Sequence, residues 1–165
     1  MQDKLPISVL GVYKVNNGSE VNDVMFLEYA EANLVLPILI GEPEALSIQM
    51  ALEGVKGQRP ITHDLVMSML ERVQYEVEKV TIDGLISTVY TATIHLRNMV
   101  EGRVVTVDAR PSDSVAIALR AGCQIYVDKS LKSQMVSKDS LKLPETRPRR
   151  GDEGDDEEID SPYGA

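Results

Sequence analysis

The apolar period of this chain changes twice in the same way, from two to about 3.6, and that double change constrains its fold more than any other feature. Two β-branched runs, Val24 to Glu31 and Asn33 to Ile40, give way to Ala45, Ile48, Leu52 and Val55 at helical spacing, with Pro43 in the first turn. Runs at 87–97 and 103–108 then lead into a helix that opens on Pro111 and closes at Gly122, where glycine suits a left-handed cap. The pattern predicts a duplicated β-β-α unit over 24–55 and 87–122. Hairpin-length connections and few helices predict an α+β fold with mixed or antiparallel sheets, not a doubly wound parallel one.

Further strands are expected at 5–15, 76–82 and Gln124 to Val127. A second helix is expected to start on Thr62 as N-cap, with Asp64 in its first turn, and to run to about Gln74. A short amphipathic helix is expected at 130–136. The helix around Val115-Ala116-Ile117-Ala118-Leu119 is apolar nearly all round, which predicts burial. At 165 residues the chain suits one compact domain, placed at 1–140. Residues 141–165, with their prolines, basic run and acids, are expected to be a disordered acidic C-terminal tail, because they lack the apolar surface that would offset ordering entropy.

Charge and cysteine use exclude several classes. The net charge is −9, but seven acids and no base lie in 152–165, so residues 1–151 hold 19 acids against 17 bases. A near-neutral domain lacks the basic stripe of passive nucleic-acid binders. The single cysteine, Cys123, forms no internal disulfide and fits a reducing compartment. No apolar run reaches membrane-span length and no secretory leader is visible, so a cytoplasmic protein with no membrane partner is expected. Walker, dinucleotide-glycine, His-x-His and Cys/His zinc patterns are all absent from the sequence.

Three polar clusters stand at expected helix starts: Gly41-Glu42-Pro43-Glu44, Arg59-Pro60-Ile61-Thr62-His63-Asp64, and Asp108-Ala109-Arg110-Pro111-Ser112-Asp113. Helix N-termini attract anions, because their first amides lack internal partners and the dipole is positive there. Carboxylates that hold a metal or activate water, beside cations that stabilise added negative charge, are what phosphodiester hydrolysis needs. Each acid is also an ordinary device for the first turn of a helix. His63 suits a base, a metal ligand or a phosphate donor, and equally a structural first-turn residue. His95 alternates with Ile94 and Leu96 in a strand and is read as surface-facing.

Blocks along residues 5 to 136 carry a specific resemblance: Leu36-Pro37-Ile38-Leu39-Ile40-Gly41, Glu44-Ala45, Ala51-Leu52-Glu53-Gly54-Val55, Arg59-Pro60-Ile61-Thr62-His63-Asp64-Leu65, Val107-Asp108-Ala109-Arg110-Pro111-Ser112-Asp113-Ser114, and Ile125-Tyr126-Val127. In this order they resemble the bifunctional nuclease domain family. The resemblance implies a compact, self-associating α+β domain that hydrolyses phosphodiester bonds of DNA and RNA. By motif it implies Glu44, Asp64, Asp108 and Asp113 as carboxylates that bind a divalent metal (Mg or Mn) or activate water. It also implies His63 as acid or base, and Arg59 and Arg110 as phosphate-binding groups. A non-catalytic regulatory or scaffolding homo-oligomer is the competing expectation. Leu39 and Gln124 depart from the family pattern at packing positions only.

Overall fold

The computed structural model describes residues 3–143. The expected tail lies, from residue 144 onward, outside the described residues. The described chain forms β1 (Lys4–Asn17), β2 (Glu20–Tyr29), β3 (Leu34–Ile40), α1 (Glu42–Glu53), α2 (Thr62–Arg72), β4 (Tyr75–Ile86), β5 (Val89–Asn98), β6 (Val104–Ala109), α3 (Pro111–Ala121), β7 (Gln124–Asp128) and β8 (Val136–Ser137). Its strands make one mixed sheet in the order β6-β5-β4-β7-β1-β2-β3-β8. Only β4 and β7 run parallel; every other neighbouring pair is antiparallel. The fold is α+β, and the unit β2-β3-α1 recurs as β5-β6-α3.

The main core lies between the sheet and the helices. It joins Met25, Leu27, Leu36 and Ile38 of the β2-β3 hairpin to Ala92, Ile94 and Leu96 of β5, with Ile48 of α1 and Val115 to Ala118 of α3 above them. Helix α3 packs against α1, α2, β4 and β5, which accounts for its nearly unbroken apolar surface. The consecutive buried run Val24-Met25-Phe26-Leu27 needs cover on both faces of β2. Met25 and Leu27 face the helices. Val24 and Phe26 face a smaller cluster with Val35, Leu10 and Tyr13, closed by Leu141 and Leu143.

The C-terminal segment is therefore part of the packed structure beyond the expected boundary at 140. Strand β8 pairs with β3, Lys138 reaches Glu28 at 3.1 Å, and Asn33 donates to Asp139 at 3.1 Å. Residues Lys129–Gln134 form a 3₁₀ turn where a short amphipathic helix was expected, opened by Asp128, which accepts from the Ser130 amide. Six residues gain too few bonds to sustain an α-helix, so the tighter turn results.

Local signals set the helix ends. Helices α1 and α3 carry proline in their first turns and close on Gly54 and Gly122, both left-handed (φ 66° and 67°). Helix α2 differs from expectation: Ile61 is the N-cap and Thr62 the first helical residue. The Asp64 carboxylate instead accepts from the Ile61 amide at 3.2 Å, which satisfies an exposed donor from inside the helix.

Ile48 is fully buried and anchors α1 on the core. Ile48→Ala is expected to lower the unfolding free energy by about 2–5 kcal/mol. Chemical denaturation followed by circular dichroism measures this, and a loss below about 1 kcal/mol would contradict the core assignment.

Candidate functional site

Hydrogen bonds between side chains tie the first turns of all three helices together. Glu44 of α1 accepts from Arg110 Nη2 at 2.8 Å, and Arg110 Nε donates to Asp113 Oδ2 at 2.9 Å. The other oxygen of Asp113 lies 2.8 Å from His63 Nε2, and His63 Nδ1 lies 2.5 Å from the hydroxyl of Ser47. Glu44, Arg110, Asp113, His63 and Ser47 thus form one continuous chain of contacts. They border a cleft of about 440 Å³ that Pro43, Pro60 and Thr62 also line.

The chemistry of the partners decides what the imidazole nitrogen beside Asp113 must carry. Burial alone would raise the Asp113 carboxyl, but hydrogen bonds from His63 and Arg110 outweigh it and hold the group below its ordinary value, so it is ionised at neutral pH. An ionised carboxylate only accepts, so Nε2 carries the proton. In the neutral ring Nδ1 then accepts, and the Ser47 hydroxyl donates to it. Ser47 and His63 are both buried, at 4% and 8% exposure, so the pair is held against rotation. A hydroxyl on a base, itself oriented by a carboxylate, is the arrangement that activates an oxygen for proton transfer.

Arg110 has a different exposure. Its side chain is 64% exposed, yet both its carboxylate partners hold it in place. A guanidinium fixed on one side and open on the other keeps donors free for a phosphate.

The remaining expected residues lie elsewhere. Asp64 pairs with Arg120 at 2.8 Å and lines a neighbouring concavity, which Arg59 also lines. Burial pushes the Asp64 carboxyl up, but Arg120 and the Ile61 amide outweigh it and leave it lowered. Asp108 does not join the cluster. It pairs in register with Thr93 on β5, and Thr93 stands between the core residues Ala92 and Ile94. Strict alternation therefore turns Asp108 to the sheet face away from the helices, where it is exposed. On that same face His95 is half-buried and 3.2 Å from Thr81, not simply solvent-facing.

Glu44, Asp64, Asp108 and Asp113 accordingly do not gather around one point. Arg110 stands between Glu44 and Asp113, and among the described residues no group of three or more His, Cys, Asp or Glu is spaced to hold a metal ion. Arginines already engage three of the four carboxylates: Arg110 holds Glu44 and Asp113, and Arg120 holds Asp64.

Two participants were not singled out from sequence. Ser47 sits in the apolar stripe of α1 between Ala45 and Ile48, and a polar residue at a buried helical position is the one signal that marks it. Arg120 reads as an ordinary basic residue in the last turn of α3. In the fold its side chain, 11% exposed, also donates to the Ala116 and Ser47 carbonyls.

Comparison with known proteins places the chain in a family. The pattern of the bifunctional nuclease domain matches residues 25–139, and the chain belongs to that family. It is 38% identical over 111 residues to an uncharacterized protein of Mycobacterium tuberculosis, covering 67% of this chain and 65% of the relative. It is 33% identical over 98 residues to bifunctional nuclease 2 of Oryza sativa subsp. japonica, covering 59% of this chain. It is 29% identical over 101 residues to bifunctional nuclease 1 of Oryza sativa subsp. indica, covering 61% of this chain. The chain spans about 30% of the length of each rice protein. No helix among the described residues is long and apolar enough to cross a membrane.

Because the folded-state value of Asp113 is lowered, its stabilisation is complete above the unfolded carboxylate value of about 3.9 and drains away as pH falls through the folded value. Asp113→Asn is expected to cost about 1–3 kcal/mol at pH 7. That gap closes in strong acid, as urea titrations across pH will show, and a gap independent of pH would contradict the assignment. Ring ¹⁵N shifts should report a proton on His63 Nε2 in the parent protein.

Proposed function

We propose that the cleft at the three helix starts hydrolyses phosphodiester bonds of DNA and RNA. The observation that carries the reading is the unbroken chain Glu44–Arg110–Asp113–His63–Ser47 along one cleft, contributed by all three helices. Membership of the bifunctional nuclease domain family and the likeness to two rice proteins named as bifunctional nucleases support it.

In this reading Arg110 receives the phosphate with its outward donors and bears the negative charge that grows on the phosphoryl oxygens. Attacking water gives a proton to Ser47 Oγ as Ser47 passes its own to His63 Nδ1, and Asp113 stabilises the imidazolium that results. The water oxygen bonds to phosphorus as the bond from phosphorus to the leaving sugar oxygen breaks. That oxygen departs with the proton that His63 returns by way of Ser47. Ser47 is then the proton relay between cleft and base. Arg120 is a positioning residue, because it fixes Asp64 and the backbone beneath Ser47. No step is assigned to a metal ion, and Mg²⁺ or Mn²⁺ dependence is left to a titration arm. The reaction belongs in a reducing cytoplasm, as the single half-buried cysteine suggests.

Protein free of contaminating nuclease should cleave single-stranded RNA and DNA. His63→Ala and Arg110→Ala should each lower kcat/KM about 10²–10³-fold while the thermal midpoint shows a folded protein. Chelator and added Mg²⁺ or Mn²⁺ run in parallel. Cleavage at the parental rate by both variants would mark the activity as a contaminant and remove the reading.

One feature favours a second reading, a self-associating regulatory or scaffolding module. Strand β6 is an outer strand of the sheet, and Val104 and Val107 are 46% and 43% exposed on it. Light scattering of the purified protein should then show a homo-oligomer, and a monomer at every concentration would dispose of this alternative.

A further inference from the structure

The charges of the cleft itself do not account for attraction of a polyanion. Arg110 is outnumbered by Glu44 and Asp113, which leaves a net −1 while His63 is neutral. A nucleic-acid strand bound there must find positive charge close by.

The neighbouring concavity supplies it. This hollow of about 500 Å³ shares Met50 and Pro60 with the cleft, so the two depressions are continuous across one residue of α1 and one loop proline. Its charged lining is Lys56, Arg59, Arg120, Asp64 and Glu71. Arg120 and Asp64 neutralise one another at 2.8 Å, which leaves Lys56 and Arg59 against Glu71, a net +1. Lys56 and Arg59 are exposed, and among the described residues neither makes a hydrogen bond or an ion pair; Lys56 acts on Asp64 only through its longer-range field. Both stand on the loop that joins α1 to α2, beside Gly57, where backbone can approach a ligand closely. Beneath them Met50, Met67 and Leu119, partly buried, give an apolar floor. Thioether and aliphatic surface suits the flat face of a base, and two free cations suit the phosphate attached to it. The volume falls in the range of about 300–1,000 Å³ typical of small-ligand sites.

We infer that this concavity is a subsite for the nucleotide flanking the scissile phosphodiester: Lys56 and Arg59 hold its phosphate, and Met50, Met67 and Leu119 receive its base. The inference rests on the proposed phosphodiester hydrolysis at the adjacent cleft. It assigns to Arg59 a place one nucleotide away from the reacting phosphate. It also explains how a domain without a basic stripe retains a strand, since a single pair of cations next to an otherwise acidic cleft fixes the register of the backbone.

The test uses the full chain and a fluorescent single-stranded tetranucleotide, read by anisotropy in the His63→Ala background and by cleavage kinetics in the parent. Lys56→Gln with Arg59→Gln should weaken binding and raise KM about tenfold and lower the salt slope by about two phosphate contacts, with kcat within about twofold. Lys132→Gln, an exposed charge outside both depressions, is the control and should change neither. Methyl resonances of Met50 and Met67 should shift when the tetranucleotide is added. Parental binding by the double variant, or methyl signals that stay still while the tetranucleotide binds, overturns the subsite and leaves the nuclease reading standing. A fall in kcat at unchanged KM overturns it too, because it moves the loop into the chemistry. Parent protein that neither binds nor cleaves, with Mg²⁺, with Mn²⁺ or with chelator, overturns both. Equal thermal midpoints for parent and double variant keep misfolding out of the comparison.

Discussion

Three helices bring their electropositive ends to the same place, and the structure is arranged around that repulsion. Each α-helix carries about half a positive charge at its N-terminus. Three together would push apart unless negative groups intervene. Glu42 and Glu44, Asp64, and Asp113 occupy the first turns of α1, α2 and α3, and the bonds from Arg110 and His63 hold Glu44 and Asp113 in register. The same carboxylates that make the packing tolerable therefore orient the guanidinium and the imidazole. Structural and chemical roles are inseparable at this point, and a carboxylate removed for one reason disturbs the other.

Much of this was legible in the chain. The repeated passage from paired strands to a proline-headed helix marked α1 and α3, and the polar clusters at the helix starts marked Glu44, His63, Arg110 and Asp113. A helix start is a local event with local signals, so sequence shows it well. What sequence does not show is which side of a strand a residue takes relative to distant neighbours. Asp108 lies two residues before Arg110, yet its ladder position beside Thr93 sends it to the opposite face of the sheet. The register with β5 decides this, and register depends on contacts remote in sequence.

Ser47 and Arg120 were hidden for a related reason. Each is a polar residue next to apolar helical neighbours, and such residues are usually solvated. Here the first turn of α2 reaches both, so Ser47 meets His63 and Arg120 meets Asp64. Thr62 was misplaced by one residue because a threonine before an apolar period is a strong cap signal. The Asp64 carboxylate met the same need from within the helix. Leu141 and Leu143 were assigned to a tail on composition, but two leucines suffice to close the small cluster over Phe26.

That closure has a geometric consequence. Leu143 packs against the side of the β2-β3 hairpin that looks away from the helices, so the last described residue sits across the sheet from the cleft. A fluorophore on exposed Lys142 would therefore report from behind the sheet without standing in the entrance to the cleft.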